Sequence, residues 1–196
     1  MPSLRSERVV IGDEVRPATV RYEGGEIVEI GEGPADLDFA HLVVMPGLVD
    51  THVHVNEPGR SSWEGFATAT RAAAAGGTTT IVDMPLNSVP PTVDPGSLAA
   101  KRGAAQGRIS VDTAFWGGLI PGSGPYLGDL VAEGVCGFKS FLVDSGVPEF
   151  PPIAISDLKS ALEAVSRLGV SCLIHAEHPD MLRPFQGDHR SYEAYQ

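Results

Sequence analysis

The sequence predicts an α/β chain. A small antiparallel β-unit over residues 1–45 should precede the first five strands of a (β/α)8 TIM-type barrel over residues 46–196. Three observations carry that expectation. Short apolar runs with Gly-containing turns fill the first segment. From Leu42 onward, apolar runs alternate with stretches of helix formers, which implies parallel strands joined by right-handed crossovers. Polar side chains collect at the C-terminal ends of those runs, where a barrel keeps its chemistry. No G-x-G-x-x-G follows any strand, so a doubly wound nucleotide-binding sheet is the less favoured arrangement.

In the first segment, Arg8–Ile11, Ala18–Tyr22 and Glu26–Gly31 read as strands, with Gly12-Asp13 and Glu23-Gly24-Gly25 as the turns between them. So short a unit buries little core of its own and should lean on something else. The first barrel strand is expected over Leu42–His54, ended by Asn56-Glu57-Pro58-Gly59. Trp63–Ala75 reads as a helix closed by Gly76-Gly77, and Thr78–Met84 as a β-branched second strand. Asp94 caps a second helix that runs to Gln106, with Pro95 at its first position. Ile109–Trp116 is the third strand and Pro125–Glu133 a short helix. Cys136–Val143 is the fourth strand, Ser156–Leu168 a helix capped by Ser156, and Val170–His175 the fifth strand. Ser191–Gln196 reads as the start of a further helix.

Composition narrows the function classes. The net charge is −11 and the sequence pI about 4.8, which disfavours nucleic acid, whose phosphates demand Lys and Arg. The first ten residues hold no signal-peptide core, and no apolar run approaches a membrane span. The cytoplasm is therefore the expected compartment. Cys136 and Cys172 both fall in predicted strands and are expected to be buried free thiols.

The chemistry-bearing residues sit at the strand ends. In a β-strand, residues two apart share a face, so His52 and His54 look the same way. Such a pair can hold a metal ion, but taken alone it reads as two satisfied strand histidines, and the rest of the chain decides between the two. Lys139 lies in Gly137-Phe138-Lys139-Ser140-Phe141-Leu142, otherwise apolar or small; buried lysines need a partner, while a snorkelling one reaches solvent. His175 ends the run Ser171-Cys172-Leu173-Ile174, as a ligand or a hydrogen-bonded core histidine. Three imidazoles and a lysine at the mouths of strands one, four and five make a metal-site pattern.

With these residues in place, the sequence resembles the cyclic amidohydrolases of the metal-dependent amidohydrolase superfamily over essentially the whole chain. The resemblance implies that His52, His54, Lys139 and His175 are metal ligands. It further implies two divalent ions, zinc being the expected metal beside cobalt, iron, nickel or manganese, and a CO2-derived carbamate on Lys139. Within the family, Asn56-Glu57-Pro58-Gly59-Arg60, Asp83-Met84-Pro85-Leu86-Asn87-Ser88 and Ser145-Gly146 resemble the allantoinases. Asn56 stands where dihydroorotases carry a carboxylate-gripping arginine. Asp144 stands where dihydropyrimidinases and hydantoinases usually carry a tyrosine.

Arg60 and Asn87 are the candidate substrate contacts, with a surface arginine and a turn-forming asparagine as the alternatives. Glu177 reads as a group supporting the fifth-strand ligand, His178 as structural, and His41 and His189 as surface residues. No catalytic base is expected in this stretch. The resemblance places that aspartate, and a further histidine ligand, on strands not contained here, and implies a homotetramer for the full-length protein. The partner expected is a small-molecule substrate, with no nucleic acid and no membrane. The segment alone is expected to be inactive and to leave an open apolar edge at strand five. The rivals are a hydantoinase, dihydropyrimidinase or dihydroorotase-type activity, and a scaffold that keeps the fold without the metals.

Overall fold

The computed structural model describes residues 1–183 and 186–195, so Gln196 of the expected terminal helix lies outside the described residues. The chain divides into two compact units, Met1–Gly47 and Leu48–Gln196.

In the first unit, β1 (Ser3–Ile11), β2 (Glu14–Glu23) and β3 (Glu26–Gly31) form an antiparallel meander, turning at the glycine-containing pairs read from the sequence. All three strands are longer than, or as long as, the apolar runs alone suggest, because backbone pairing continues through charged residues that face solvent. Two further strands, β4 (Leu37–Asp38) and β5 (Val43–Val44), pair parallel with β1 on its other edge. Val9, Ala18 and Val20 form a core of three buried residues, flanked by Leu4, Ile11 and Val44. Ile27, Val28 and Ile30 of β3 stay exposed, as so small a sheet requires.

The expected first barrel strand is two strands. Leu42–His54 is not continuous: Val43-Val44 pairs with β1, Met45-Pro46-Gly47 carries no strand, and β6 begins only at Leu48. Pro46 has no N–H to give a ladder, which accounts for the interruption.

The second unit alternates strand and helix. In order come β6 (Leu48–Val53), α1 (Phe66–Ala75), β7 (Thr78–Asp83), α2 (Pro95–Ala105), β8 (Asp112–Phe115), β9 (Gly117–Gly118), α3 (Leu127–Ala132), β10 (Gly137–Phe141), α4 (Ile155–Arg167), β11 (Ser171–His175) and α5 (Tyr192–Tyr195). β6, β7 and β8 pair side by side in parallel, as do β9, β10 and β11. β8 and β9 are one strand interrupted at Trp116, whose backbone N–H donates to the Asp83 carbonyl at 2.9 Å. The five parallel strands therefore neighbour one another in chain order, with no reversal. A doubly wound sheet needs a reversal; a (β/α) barrel does not.

Local sequence explains the helices. Asp94 accepts the Ser97 N–H at 2.7 Å and Pro95 opens α2, as read from the sequence. The N-terminus of α1 is capped from a distance, the Phe66 N–H donating to Glu57 Oε2 at 3.0 Å. Ser156 is not the cap of α4: that place falls to Ala154, which has no side chain to offer, and Ser156 lies within the helix. Cys136 precedes β10 and is exposed rather than buried, because the strand begins at Gly137; Cys172 is half-buried, and both are free thiols.

Alternation along the strands sorts the side chains into two faces. Val53, Val55, Ile81, Phe115, Phe138, Cys172 and Ile174 pack with Phe66, Leu98, Leu130 and Val165 of the helices. Val82, Met84, Ala114, Trp116, Phe141 and Leu173 pack together in a second cluster, with Phe150 and Val147 of the loop after β10. His52 and His54 share their face with neither Val53 nor Val55, and Lys139 and His175 follow the register of Phe141 and Leu173. All four candidate ligands thus belong to the face turned away from the helices.

Candidate metal centre

His52 is the penultimate residue of β6 and His54 the first beyond it, and their ring centroids lie 5.4 Å apart. His54 is half-buried, and its side chain is pushed below the ordinary histidine range. Burial is the larger cause, followed by the electrostatic influence of neighbouring His52, Lys101 and Lys139. The Asn87 amide lies 3.4 Å from His54 Nδ1.

Lys139 sits in the middle of β10 with 5% of its surface exposed. Burial pushes its ammonium below the usual lysine range, opposed weakly by Cys172. Among the described residues no carboxylate pairs with it. Its Nζ lies over the Phe141 ring, 4.8 Å from the centroid. The His175 imidazole stacks on that same ring at 4.9 Å, and its Nε2 lies 3.0 Å from Glu177 Oε1. His175 is paired across the ladder with Phe141, so β11 ends level with the residue two beyond Lys139. Gly137 makes this close pairing possible. Its φ is +153°, and a Cβ there would lie 2.3 Å from the Ser171 carbonyl oxygen.

A second buried lysine shows what an ordinary one requires. Lys101 of α2 is fully buried, ion-paired with Asp83 Oδ2 at 2.5 Å and donating to the Met84 carbonyl at 3.0 Å. Asp83 Oδ1 accepts the Val55 N–H at 2.7 Å. Burial raises the Asp83 carboxyl to about 6 against the opposing pull of Lys101 and the hydrogen bonds it accepts. This pair ties the end of β7 to α2 and to the residue following His54. In the sequence Asp83 stands out only as part of the Asp83–Ser88 stretch that resembles the allantoinases, and Lys101 looks like a solvated lysine among alanines and glycine.

Among the described residues, no three His, Cys, Asp or Glu side chains converge on one metal-sized point. A metal centre here depends on Lys139. A cationic lysine is no ligand, but its neutral amine can add CO2, and burial without a counter-ion favours the neutral form. The donor set fits on that condition.

The loops at the strand ends carry the other candidates. Arg60 lies beyond β6, donating through Nη1 to the Asn87 carbonyl and through Nη2 to Glu149 Oε1, both at 2.9 Å. Asn87 follows β7 with φ of 76°. Asn56 is buried and its Oδ1 has no partner; Ser88 Oγ and Glu149 Oε2 are buried and unpartnered too. Glu149 has no sequence signal of its own. His178 accepts the Asp180 N–H at its own turn, in keeping with a structural role, and His41 is exposed.

The sequence profile of the amidohydrolase family matches residues 43–192. The chain belongs to the amidohydrolase family. It is 42% identical to the allantoinase of Saccharomyces cerevisiae, covering 98% of this chain and 46% of that one. It is 48% identical to the allantoinase of Streptomyces avermitilis, over 91% of this chain and 42% of the other. Among solved structures, the L-hydantoinase (dihydropyrimidinase) of Arthrobacter aurescens superposes with a TM-score of 0.82 at 28% identity, over 91% of this chain and 41% of that one. The chain thus spans less than half the length of the relatives it matches. No described helix is long and apolar enough to cross a membrane.

Proposed function

We propose that the protein to which this stretch belongs hydrolyses the cyclic amide of allantoin to allantoate, using two divalent metal ions. The observation that carries the reading is the placement of Lys139: buried, unpaired, and on the same strand face as His175, with the His52/His54 pair at the mouth of the same parallel array. His52, His54 and His175 would each give an imidazole nitrogen, and Lys139, as a carbamate, a carboxylate-like group with one negative charge shared by its two oxygens. When bound, the metals supply an activated water and polarise the substrate carbonyl. Zinc suits nitrogen and oxygen donors of this kind.

Asn87 stands at the mouth, where its amide can donate to a ring carbonyl or accept from a ring N–H. The Arg60 guanidinium is committed to protein acceptors, so its contact with substrate runs through Asn87. Asn56 in place of a cationic side chain agrees with an uncharged substrate such as allantoin. The identities of 42% and 48% to allantoinases, against 28% to the L-hydantoinase structure, favour allantoin over hydantoin.

The reading extends to the rest of the protein. Residues 1–45 would be the first part of a β-sandwich, and residues 46–196 the first five strands of an eight-stranded barrel. A homotetramer in the cytoplasm completes it, with this stretch inactive alone. The test is a substrate panel on the intact protein. Ring opening of allantoin well above that of hydantoin, dihydrouracil and dihydroorotate supports the proposal. Preference for any of the others makes it that hydrolase instead, and no turnover with no bound metal leaves the scaffold reading.

A further inference from the structure

Three loops at the strand ends meet at one guanidinium. Arg60, beyond the strand that carries His52, reaches Asn87 beyond β7 and Glu149 beyond β10, the strand that carries Lys139. The arginine is itself held. Its N–H donates to the Asn56 carbonyl and its carbonyl accepts the Trp63 N–H, both at 2.9 Å, while the guanidinium lies 5.2 Å from the centre of the Trp63 ring. Only 21% of the Arg60 side chain and 33% of that of Glu149 is exposed, so this is not a fully solvated surface pair.

The first two loops also touch along their backbones. The Val89 N–H donates to the Pro58 carbonyl at 2.8 Å, and a Cβ at Gly59 would lie 2.7 Å from the Val89 Cβ. Asn87 is thereby fixed in the left-handed region, which asparagine tolerates better than most residues but which still needs support. In that conformation its side chain falls 3.4 Å from His54 Nδ1. The amide presents Nδ2 there, and a half-turn about its last torsion presents Oδ1 instead. With Oδ1 accepting an Nδ1–H, the lone pair of His54 lies on Nε2.

We propose that Arg60 and Glu149 form a tie whose task is to hold Asn87 against His54, fixing the tautomer and angle of that imidazole. Arg60 and Glu149 are positioning residues that act through Asn87 on the His52/His54 pair, a role that rests on reading that pair as metal ligands. An arginine is required because its planar fork serves two acceptors at once, whereas a lysine serves them as a single point charge.

The test uses the intact full-length protein, stripped of metal and titrated with Co2+ by visible absorption. Wild type is compared with Arg60→Ala, Arg60→Lys, Asn87→Ala and Arg60→Ala/Asn87→Ala, and backbone amide exchange over residues 86–89 is followed in the metal-free proteins. Partners of metal-bound histidines change affinity by about 10–100-fold. Arg60→Ala and Asn87→Ala should each weaken cobalt binding by about tenfold or more, with Arg60→Lys failing to restore it. The double variant should be no weaker than Asn87→Ala, since Arg60 acts through Asn87. Arg60→Ala should also speed exchange at Val89. Faster exchange with cobalt binding unchanged overturns the proposal, as do losses that add in the double variant. Wild type that takes up no cobalt overturns the metal reading itself and, with it, the task assigned to the tie.

Discussion

Replacing Lys101 by methionine removes a buried cation while keeping most of its volume. The structure sets the size of the effect. Both side chains of the Lys101–Asp83 pair are essentially inaccessible, at 1% and 0%, so the variant leaves a buried carboxylate without a counter-charge and the Met84 carbonyl without a donor. Losing one partner of a buried ion pair costs about 3–5 kcal/mol. The pH dependence follows from the direction of the Asp83 shift. Its folded pKa, about 6, lies above the ordinary 3.8, so the folded state holds the proton more tightly and stability falls as pH rises between those values.

In wild type that loss levels off above about 6. Without Lys101 the opposing pull is gone, the folded pKa rises further, and Lys101→Met goes on losing stability above pH 6. The gap between the two proteins should therefore widen from pH 5 to pH 8. Asp83→Asn/Lys101→Met should recover part of it, because an amide still accepts the Val55 N–H and needs no counter-charge. Urea unfolding of the metal-free intact protein at both pH values is the assay. A gap below about 1 kcal/mol at pH 8, or one that does not change with pH, would mean that Lys101 does not carry the charge of Asp83.

Other expectations follow from the packing. Gly137→Ala should block the pairing of β10 with β11, since its Cβ would overlap the Ser171 carbonyl, and circular dichroism with thermal unfolding should show a loss far above that of an ordinary surface Gly→Ala change. Phe66→Ala empties a fully buried site beside Phe115, whose ring centroid lies 6.3 Å away, and should cost about 3–5 kcal/mol by denaturant unfolding. Asp94→Ala removes the α2 cap and should cost about 0.5–2 kcal/mol by the same measurement.

Much of the second unit was legible because its signals are local. Strand and helix runs alternate, Asp94-Pro95 opens a helix, and β-branched Thr78-Thr79-Thr80-Ile81-Val82 makes a strand, wherever in space they end up. The His52/His54 pairing on one face needed only the two-residue period. What failed depended on partners distant in sequence. An apolar run does not say which neighbour each half will pair with, so Val43-Val44 reads as part of the strand that follows although it pairs with β1. Lys101 resembles a solvated helix lysine until Asp83, eighteen positions earlier in the chain, is brought beside it. The partners of Arg60, Glu149 and Asn87, are equally invisible until the chain folds. Ser156 satisfied the cap preference, but the helix began one residue sooner, at Ile155.

The proposed function makes Lys139, a buried lysine without a counter-ion, the residue that completes a two-metal site. Elemental analysis of the intact wild-type protein beside Lys139→Ala tests it most directly. Close to two divalent metals per chain are expected in wild type, with a clear fall in the variant. Wild type without bound metal, and a variant no different from it, would contradict the claim and leave Lys139 as a buried cation resting on Phe141.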